Sequence, residues 1–355
     1  MKAWRLEKLG GRLSLEDIPV PEPRPGAALV RVEACALLSY LKAYVEGNLP
    51  RYNPPTGPFT IGTGGVGTVE AVGRDVWSIR PRQRVLLSPH FVARENVDDP
   101  PQILIGLTSS ADAAPVLADW PDGTLAEYAL MPAEVVHPAE GLQSINAAEL
   151  AVVNRFMVPF GGLLRGRLAP GETLIVNGAT GAFGTVAALL GVAMGAARVI
   201  AVGRNGAALR AVAAAGGPRL STIALTGDVD ADAKAIRAAA GGGAHVAFDI
   251  VGNASDPKST LAALTSLKRG GRLVAMGSLL VDLPVPYMTL MLNDWEIIGQ
   301  FMYPASAYGR LLDLVRAGLL DIRAIAPRVF PLAALPEAME AAAKAGNLEY
   351  VVVKP

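Results

Sequence analysis

The most constraining feature of the chain is a short apolar run that ends in a glycine-rich turn and continues into a second apolar stretch. Thr173–Asn177 has the composition of a buried strand, and Gly178-Ala-Thr-Gly181-Ala-Phe-Gly184 follows it directly. Glycine at 181 lets the backbone approach phosphates, and glycine at 184 lets helix and strand pack closely. The pattern predicts a helix N-terminus that binds the pyrophosphate of a dinucleotide. The residues predicted to contact the cofactor here are Ala179, Thr180, Gly181, Ala182 and Phe183.

The next predicted strand ends in Gly203-Arg204-Asn205. An NAD site usually carries Asp or Glu at this strand end, where the carboxylate binds the ribose hydroxyls. Glycine and arginine instead remove an anion that would repel a 2′-phosphate and add a cation that binds it. We therefore predict NADPH as the cofactor, in contact with Gly203, Arg204 and Asn205. Loops after two later strands are predicted to add Val251, Gly252, Gly277 and Ser278.

Strand-like and helix-like stretches alternate over residues 151–290. Strands are predicted at 173–177, 198–202, 245–250 and 272–276, with helices at 184–195, 206–215, 231–240 and 257–268. This alternation indicates a parallel, doubly wound sheet of the Rossmann type. The predicted fold class is therefore α/β, with the nucleotide-binding domain over 151–290.

The first 150 residues are rich in β-like runs and turns. Short strands are predicted at 28–34, 67–72, 84–88 and 125–130. Residues 89–123 lack this pattern, and we predict that they form a long excursion without regular structure. Past residue 290 we predict a strand at 295–302, helices at 306–317 and 335–345, and a final strand at 349–354.

Composition narrows the function classes. Lys plus Arg equals Asp plus Glu at 32 each, which argues against a nucleic-acid partner because phosphate binding needs a basic surface. The single cysteine, Cys35, excludes an intrachain disulfide and any multi-cysteine zinc site. The N-terminus lacks the apolar core of a signal peptide, so we expect a cytoplasmic location. Residues 174–197 carry no charge; we interpret them as a buried strand and helix, with a membrane span as the alternative.

Four segments resemble the medium-chain dehydrogenase/reductase superfamily: residues 29–36, 61–73, 168–176 and the turn at 178–184. The resemblance implies a GroES-like β-rich catalytic domain over 1–150, completed by 291–355. It also implies a Rossmann domain over 151–290 and an active site in the cleft between the two. A homodimer that forms through the last strand of the nucleotide domain is implied as well.

The chain departs from this family at its metal ligands. Zinc members carry Cys, His and Cys at positions that correspond to Leu38, Thr63 and Asn154, and Gly64 replaces the Glu beside the His. Leu, Thr and Asn do not form a zinc site, so we predict no metal. The chain is more similar to the zinc-free branch of quinone oxidoreductases and enone or enal reductases. It also departs from that branch, because Leu38 and Leu41 replace the usual Asn and Asp.

Without a metal, hydrogen-bond donors must stabilise the developing oxyanion, and a conjugated acceptor suits this because an enolate spreads the charge. We expect NADPH-dependent reduction of a small apolar enone, enal or quinone. Tyr40 is the candidate proton donor or pocket wall, and Thr63 and Asn154 are candidate substrate contacts. Two alternatives remain: a carbonyl reductase or alcohol dehydrogenase that acts on C=O directly, and a non-catalytic NADPH-binding protein. The substrate, the proton donor and the physiological direction stay open.

Overall fold

The computed structural model describes residues 1–93 and 97–355, which divide into two compact units. The β-rich unit comprises Met1–Asn154, Ile325–Ala345 and Glu349–Pro355. The Rossmann unit comprises Arg155–Ala324 and Gly346–Leu348. These boundaries differ from the predicted 150 and 290. The Rossmann unit extends further because a strand at Glu296–Gly299 joins its parallel sheet instead of the β-rich unit.

In the N-terminal part of the β-rich unit, the described residues form strands joined by loops and short helices. The strands are β1 (Lys2–Leu6), β2 (Leu13–Asp17), β3 (Ala27–Ala36), β4 (Phe59–Thr60), β5 (Gly65–Val72), β6 (Arg84–Leu87), β7 (His90–Val92), β8 (Gln102–Leu104), β9 (Thr108–Ser109), β10 (Tyr128–Pro132) and β11 (Val136–Pro138). The helices are α1 (Leu41–Val45), α2 (Ala114–Asp119) and α3 (Ala147–Ala151).

The Rossmann unit alternates strands and helices as the sequence predicts, but its edge strand Leu220–Ala224 is not among the predicted strands. The strands are β12 (Thr173–Asn177), β13 (Arg198–Gly203), β14 (Leu220–Ala224), β15 (Ala244–Asp249), β16 (Leu267–Ala275) and β17 (Glu296–Gly299). The helices are α4 (Val153–Arg165), α5 (Ala182–Ala193), α6 (Gly206–Gly216), α7 (Val229–Ala239), α8 (Lys258–Thr265), α9 (Tyr287–Leu292) and α10 (Ala307–Arg316). The parallel sheet has the order β14-β13-β12-β15-β16-β17, so the strand order reverses between β12 and β15. In such sheets ligands bind beyond the carboxyl ends of the strands at this point.

The C-terminal segment completes the β-rich unit with β18 (Ala326–Pro331), α11 (Leu335–Lys344) and β19 (Glu349–Lys354). The main sheet has the order β11-β6-β5-β3-β19-β18, and β10 also pairs with β3. In this unit Cys35 is fully buried, and its thiol donates a hydrogen bond to the Thr124 carbonyl at 2.7 Å. Burial raises the pKa of Cys35 to about 12, so the side chain stays a neutral thiol.

The prediction of an irregular excursion over 89–123 is wrong. Strands β7, β8 and β9 form a small antiparallel sheet, and α2 follows it. These strands are two or three residues long, which is too short for an alternating pattern to be recognised in sequence. Residues 94–96 of this segment lie outside the described residues.

The uncharged stretch 174–197 consists of β12 and α5, which confirms the interpretation as a strand followed by a helix. All five residues of β12 are buried, as expected for a parallel strand covered on both faces. Among the described residues one other segment, Ala147–Arg165, has the length and hydropathy to cross a membrane. It is 72% buried inside the protein, which is typical of a core helix.

Candidate functional site

The turn between β12 and α5 is built from backbone contacts. Gly178 has φ +86°, and the N–H groups of Gly178 and Ala179 donate to the Val202 carbonyl at 3.2 and 3.0 Å. A Cβ on Gly184 would lie 2.0 Å from the Gly178 oxygen, so only glycine fits there. Thr185 N–H donates to the Gly181 carbonyl, and the N–H groups of the preceding helix residues have no partner within the helix. These N–H groups fit a pyrophosphate.

A cavity of about 400 Å³ opens at the carboxyl ends of the parallel strands. Half of the predicted cofactor contacts line it: Thr180, Gly181, Gly203, Arg204, Val251 and Gly252. The turn, the Gly203-Arg204 strand end and the loop after β15 therefore come together as the sequence predicts. The cavity and the open N-terminus of α5 suit a dinucleotide.

The other predicted cofactor contacts do not line this cavity. Ala179 is fully buried, and its carbonyl accepts from the Thr185 hydroxyl at 2.9 Å. Asn205 caps α6, where its Oδ1 accepts from the backbone of Ala207 and Ala208. The other four lie outside the cavity lining and stay predictions: Ala182, Phe183, Gly277 and Ser278.

The loop after β14 is a part of the cavity that the sequence did not reveal. Leu225, Thr226 and Gly227 line it, and Asp232 of α7 holds the loop in shape. The carboxylate accepts from Thr226 N–H and hydroxyl, both at 2.8 Å, and from Gly227 N–H at 3.0 Å. Burial alone would raise the pKa of Asp232, but these hydrogen bonds outweigh it and lower the pKa. An acidic residue early in a helix gives no sequence signal for this loop contact.

Asn177 and Asp249 stand opposite each other at the ends of β12 and β15. Burial raises the pKa of Asp249, and the hydrogen bond that it accepts from Val251 N–H at 3.1 Å opposes the rise. Asn177 lines the cavity and donates to the Ser259 hydroxyl at 3.2 Å. Its Oδ1 is buried without a hydrogen-bond partner among the described residues. The pair shapes the loop that follows β15.

Arg155 is a second unpredicted residue beside the cofactor turn. It is 3% exposed, and its Nε donates to the Ala182 carbonyl at 2.9 Å. Its Nη2 donates to the Asn347 carbonyl at 2.6 Å, and Asn347 in turn donates to the Ala208 carbonyl. The guanidinium therefore ties the first residue of α5 to the segment 346–348. A basic residue within an apolar helix was the available sequence signal.

In the β-rich unit, Thr63 and Asn154 both lie next to Gly64. A Cβ on Gly64 would lie 2.7 Å from Asn154 Oδ1, so a glutamate at 64 would collide with Asn154. Thr63 is 6% exposed, and its neighbour Gly62 has φ +119°. A Cβ on Gly123 would lie 2.0 Å from the Gly62 oxygen, so the backbone is packed tightly around this loop. The structure thus brings two of the three predicted catalytic residues together.

Tyr40 belongs to a cluster with Tyr44 and Tyr52. Its ring centroid lies 6.1 Å from that of Tyr52, and Tyr44 and Tyr52 are 5.5 Å apart edge to face. Burial is the first cause that raises the pKa of Tyr40, and the neighbouring Tyr52 raises it further; burial also raises the pKa of Tyr52. Tyr44 donates to the Leu107 carbonyl at 2.5 Å, so its hydroxyl has a structural partner.

The positions that carry zinc ligands in the family do not fit the metal. Leu38 has no donor atom, and Thr63 and Asn154 offer only neutral side-chain donors. The Asn154 amide already donates to the Ala151 carbonyl at 3.2 Å. Over residues 1–93 and 97–355, no group of three or more His, Cys, Asp or Glu side chains could hold a metal ion.

Comparison with known proteins matches two family models. The alcohol dehydrogenase GroES-like domain matches residues 24–141, and the zinc-binding dehydrogenase domain matches residues 182–317. The chain belongs to the medium-chain dehydrogenase/reductase superfamily. Both models describe dehydrogenase domains, so the chain is an oxidoreductase of this superfamily. This confirms the predicted superfamily and fold class.

The superfamily members most similar to the chain include named dehydrogenases. The NAD-dependent alcohol dehydrogenase of Sulfurisphaera tokodaii is 27% identical over 99% of this chain and 98% of its own length. The sorbitol dehydrogenase of Bacillus subtilis is 26% identical over 94% and 92%. The structure of alcohol dehydrogenase TADH from Thermus sp. ATN1 matches with a TM-score of 0.83 at 21% identity, over 100% and 99%. These relatives do not confirm the zinc-free branch or the quinone-like specificity.

Proposed function

We propose that this chain is an NADP(H)-dependent oxidoreductase that transfers hydride without a catalytic zinc ion. The observation that carries the proposal is the pair Gly203 and Arg204 in the wall of the cofactor cavity. A strand end without a carboxylate and with an exposed guanidinium favours a 2′-phosphate over free ribose hydroxyls. Two relatives are named NAD-dependent alcohol dehydrogenases, so the cofactor preference rests on these two residues.

The donor set at the family's metal positions supports zinc independence. Leu38 contributes no ligand atom, and Asn154 fills the space in which a side chain at position 64 would lie. Zinc in proteins is held by thiolate, imidazole and carboxylate groups. Neutral hydroxyl and amide groups supply none of these, so polarisation of the substrate falls to hydrogen-bond donors.

Named side chains of the chain are proposed to contact the substrate and to supply the proton. The bound cofactor supplies a hydride from C4 of its nicotinamide. We propose that Thr63 and Asn154 contact the substrate and that Tyr40 supplies the proton. Burial raises the pKa of Tyr40, so its phenol stays protonated until it donates to the reduced substrate, and solvent then replaces the proton.

A conjugated carbonyl compound, such as an enone, enal or quinone, is the acceptor that these groups suit. Hydride addition to its C=C or quinoid bond gives an enolate, whose charge is spread and needs only hydrogen bonds for stabilisation. A second candidate is direct reduction of C=O to an alcohol. It is favoured by the relatives, which are named alcohol and sorbitol dehydrogenases.

We also infer that the chain forms a homodimer through β17. This strand is the edge of the parallel sheet, and an exposed edge is a template for pairing with another strand. Tyr287, Met288 and Leu292 of the adjoining α9 are 74%, 60% and 63% exposed. Light scattering on a size-exclusion column tests this, and a monomer at micromolar concentration would contradict it.

Product analysis tests the proposed chemistry. Chelator-treated protein is incubated with NADPH and an α,β-unsaturated aldehyde, and the products are separated by gas chromatography. The saturated aldehyde is the expected product. The allylic alcohol would establish the second candidate instead. Tight NADPH binding with no turnover over a panel of enals, enones, quinones and ketones would contradict both and indicate a binding protein.

A further inference from the structure

Gly203 is glycine for a steric reason as well as an electrostatic one. A Cβ at this position would lie 2.6 Å from Cγ2 and 3.1 Å from Oγ1 of Thr180. Contacts below 3.0 Å are not tolerated without movement, and Thr180 stands in the tight turn before α5, where the backbone is fixed by Gly178 and Gly184. The methyl and hydroxyl groups of Thr180 therefore occupy the space of the missing side chain.

Thr180 is also a polar group on the wall of the same cavity as Gly203 and Arg204. In the described ranges its hydroxyl makes no hydrogen bond. A hydroxyl at this position can donate to a phosphate oxygen, and a donor bound to a charged acceptor forms one of the stronger hydrogen bonds. The cavity therefore presents a neutral donor and a guanidinium where an NAD site presents a carboxylate.

We propose that Thr180 is a specificity-determining residue for the 2′-phosphate of NADPH. This inference rests on the proposed cofactor preference and adds two roles to it. The hydroxyl donates to the 2′-phosphate beside Arg204. The γ-methyl group excludes any side chain at 203, so the position cannot carry the carboxylate that would bind NADH.

Three variants separate these roles: Thr180→Val, Gly203→Asp and the double variant Thr180→Ala with Gly203→Asp. Valine keeps the shape of threonine and removes its hydroxyl, so the fold is preserved. Alanine removes both γ atoms and keeps only Cβ, which would lie 3.4 Å from a Cβ at 203, an ordinary contact distance. Dissociation constants for NADPH and NADH are measured for each variant by fluorescence titration, with thermal melting to confirm folding.

Thr180→Val should lower the affinity for NADPH by roughly tenfold or more, because one hydrogen bond to a charged group is lost. The affinity for NADH should not change. Gly203→Asp alone should lower the affinity for both NADPH and NADH. The double variant should bind NADH more tightly than Gly203→Asp does. The steric role is overturned if Gly203→Asp alone binds NADH as well as the double variant, and the hydroxyl role is overturned if Thr180→Val binds NADPH like the wild type.

The wild-type protein distinguishes failure of this inference from failure of the proposed function. Equal affinity of the wild type for NADPH and NADH would contradict the cofactor preference itself, and Thr180 would then have nothing to discriminate. A clear NADPH preference with no effect of Thr180→Val would leave the proposed function standing and remove only the role of the Thr180 hydroxyl.

Discussion

Two loops of the molecule have the same kind of backbone packing: the cofactor turn of the Rossmann unit and the loop around Gly64 in the β-rich unit. They differ in whether they keep the functional residues of the family. Both depend on glycines packed against backbone: Gly184 on Gly178, and Gly123 on Gly62. The cofactor turn keeps the residues that its chemistry needs, because that chemistry uses backbone N–H groups. The Gly64 loop keeps its backbone, but Leu38, Thr63 and Asn154 replace the ligands that the family places there.

The difference shows that backbone-based sites and side-chain-based sites carry different kinds of sequence information. A phosphate site made of N–H groups requires glycines, so its pattern identifies both fold and ligand. A substrate site made of side chains can exchange every one of them on an unchanged backbone. The chain therefore retains a complete fold while its chemistry in the β-rich unit has to be argued from individual residues.

The largest expected effect tests whether the two loops are equally intolerant of side chains. Gly184→Ala and Gly123→Ala each place a Cβ 2.0 Å from a carbonyl oxygen. Each should lower the free energy of unfolding by about 3 kcal/mol or more, since neither backbone can move away without breaking its turn. Denaturant unfolding or soluble yield measures the loss.

Gly309→Ala in α10 is the matched control, because a Cβ there meets nothing within 4 Å. It should leave stability unchanged or raise it by about 0.5–1 kcal/mol through helix propensity. If Gly123→Ala behaved like this control, the tight packing around Gly62 would be refuted and the parallel between the two loops would be lost.

Arg204→Ala tests the charge contribution of the Rossmann unit. Loss of charge-assisted hydrogen bonds should lower the affinity for NADPH by roughly 10- to 100-fold and leave the affinity for NADH nearly unchanged. Arg210→Ala is the matched control, because Arg210 is an exposed arginine of the same helix region that does not line the cavity. Equal losses for both cofactors in Arg204→Ala would contradict the 2′-phosphate assignment.

Acid should destabilise the β-rich unit through His137. Burial lowers the pKa of His137 to about 4, below the usual 6.5. The folded state therefore favours the neutral ring, so stability is complete above pH 6.5 and is lost as pH falls from 6.5 towards 4. Wild-type protein should lose roughly 2 kcal/mol more than His137→Gln between pH 7 and pH 4.5. Identical pH profiles in denaturant unfolding would show that the ring is not held neutral.

The Rossmann unit has a weaker counterpart in His245. Burial again lowers the pKa, and Nδ1 accepts a hydrogen bond from Thr173 N–H at 3.0 Å. Protonation of Nδ1 would break this bond, so its contribution also disappears on acidification. We expect a smaller change in the pH profile for His245→Gln than for His137→Gln.

The sequence predicts some parts of the fold and of the cofactor site and misses others. Continuous apolar runs predict β12, β13, β15 and β16, because parallel strands are buried on both faces. The edge strand β14 was not predicted, because it carries Ser221 and Thr222 and only its Leu220 is buried. The strands β7, β8 and β9 were not predicted, because two or three residues show no period. In the cofactor site, the glycines and Arg204 were predicted, whereas Asp232 and Arg155 act through contacts with chain segments that sequence order does not bring together.

The smallest expected effect separates structural from chemical tyrosines in the β-rich unit. Tyr44→Phe removes a hydrogen bond to the buried Leu107 carbonyl and should cost about 1 kcal/mol of stability with little change in kcat. Tyr40→Phe should cost less stability than this and lower kcat by roughly 10-fold or more, because it removes the proposed proton donor. Stopped-assay kinetics and thermal melting on both variants measure this. A Tyr40→Phe variant with full kcat would exclude Tyr40 as the donor.

The most direct test of the central claim is turnover with NADPH in chelator-treated protein, with zinc quantified by elemental analysis in the same sample. We expect full activity with zinc far below one ion per chain, and no increase when zinc is added. Activity that disappears on chelation and returns with stoichiometric zinc would contradict the claim that this chain transfers hydride without a metal.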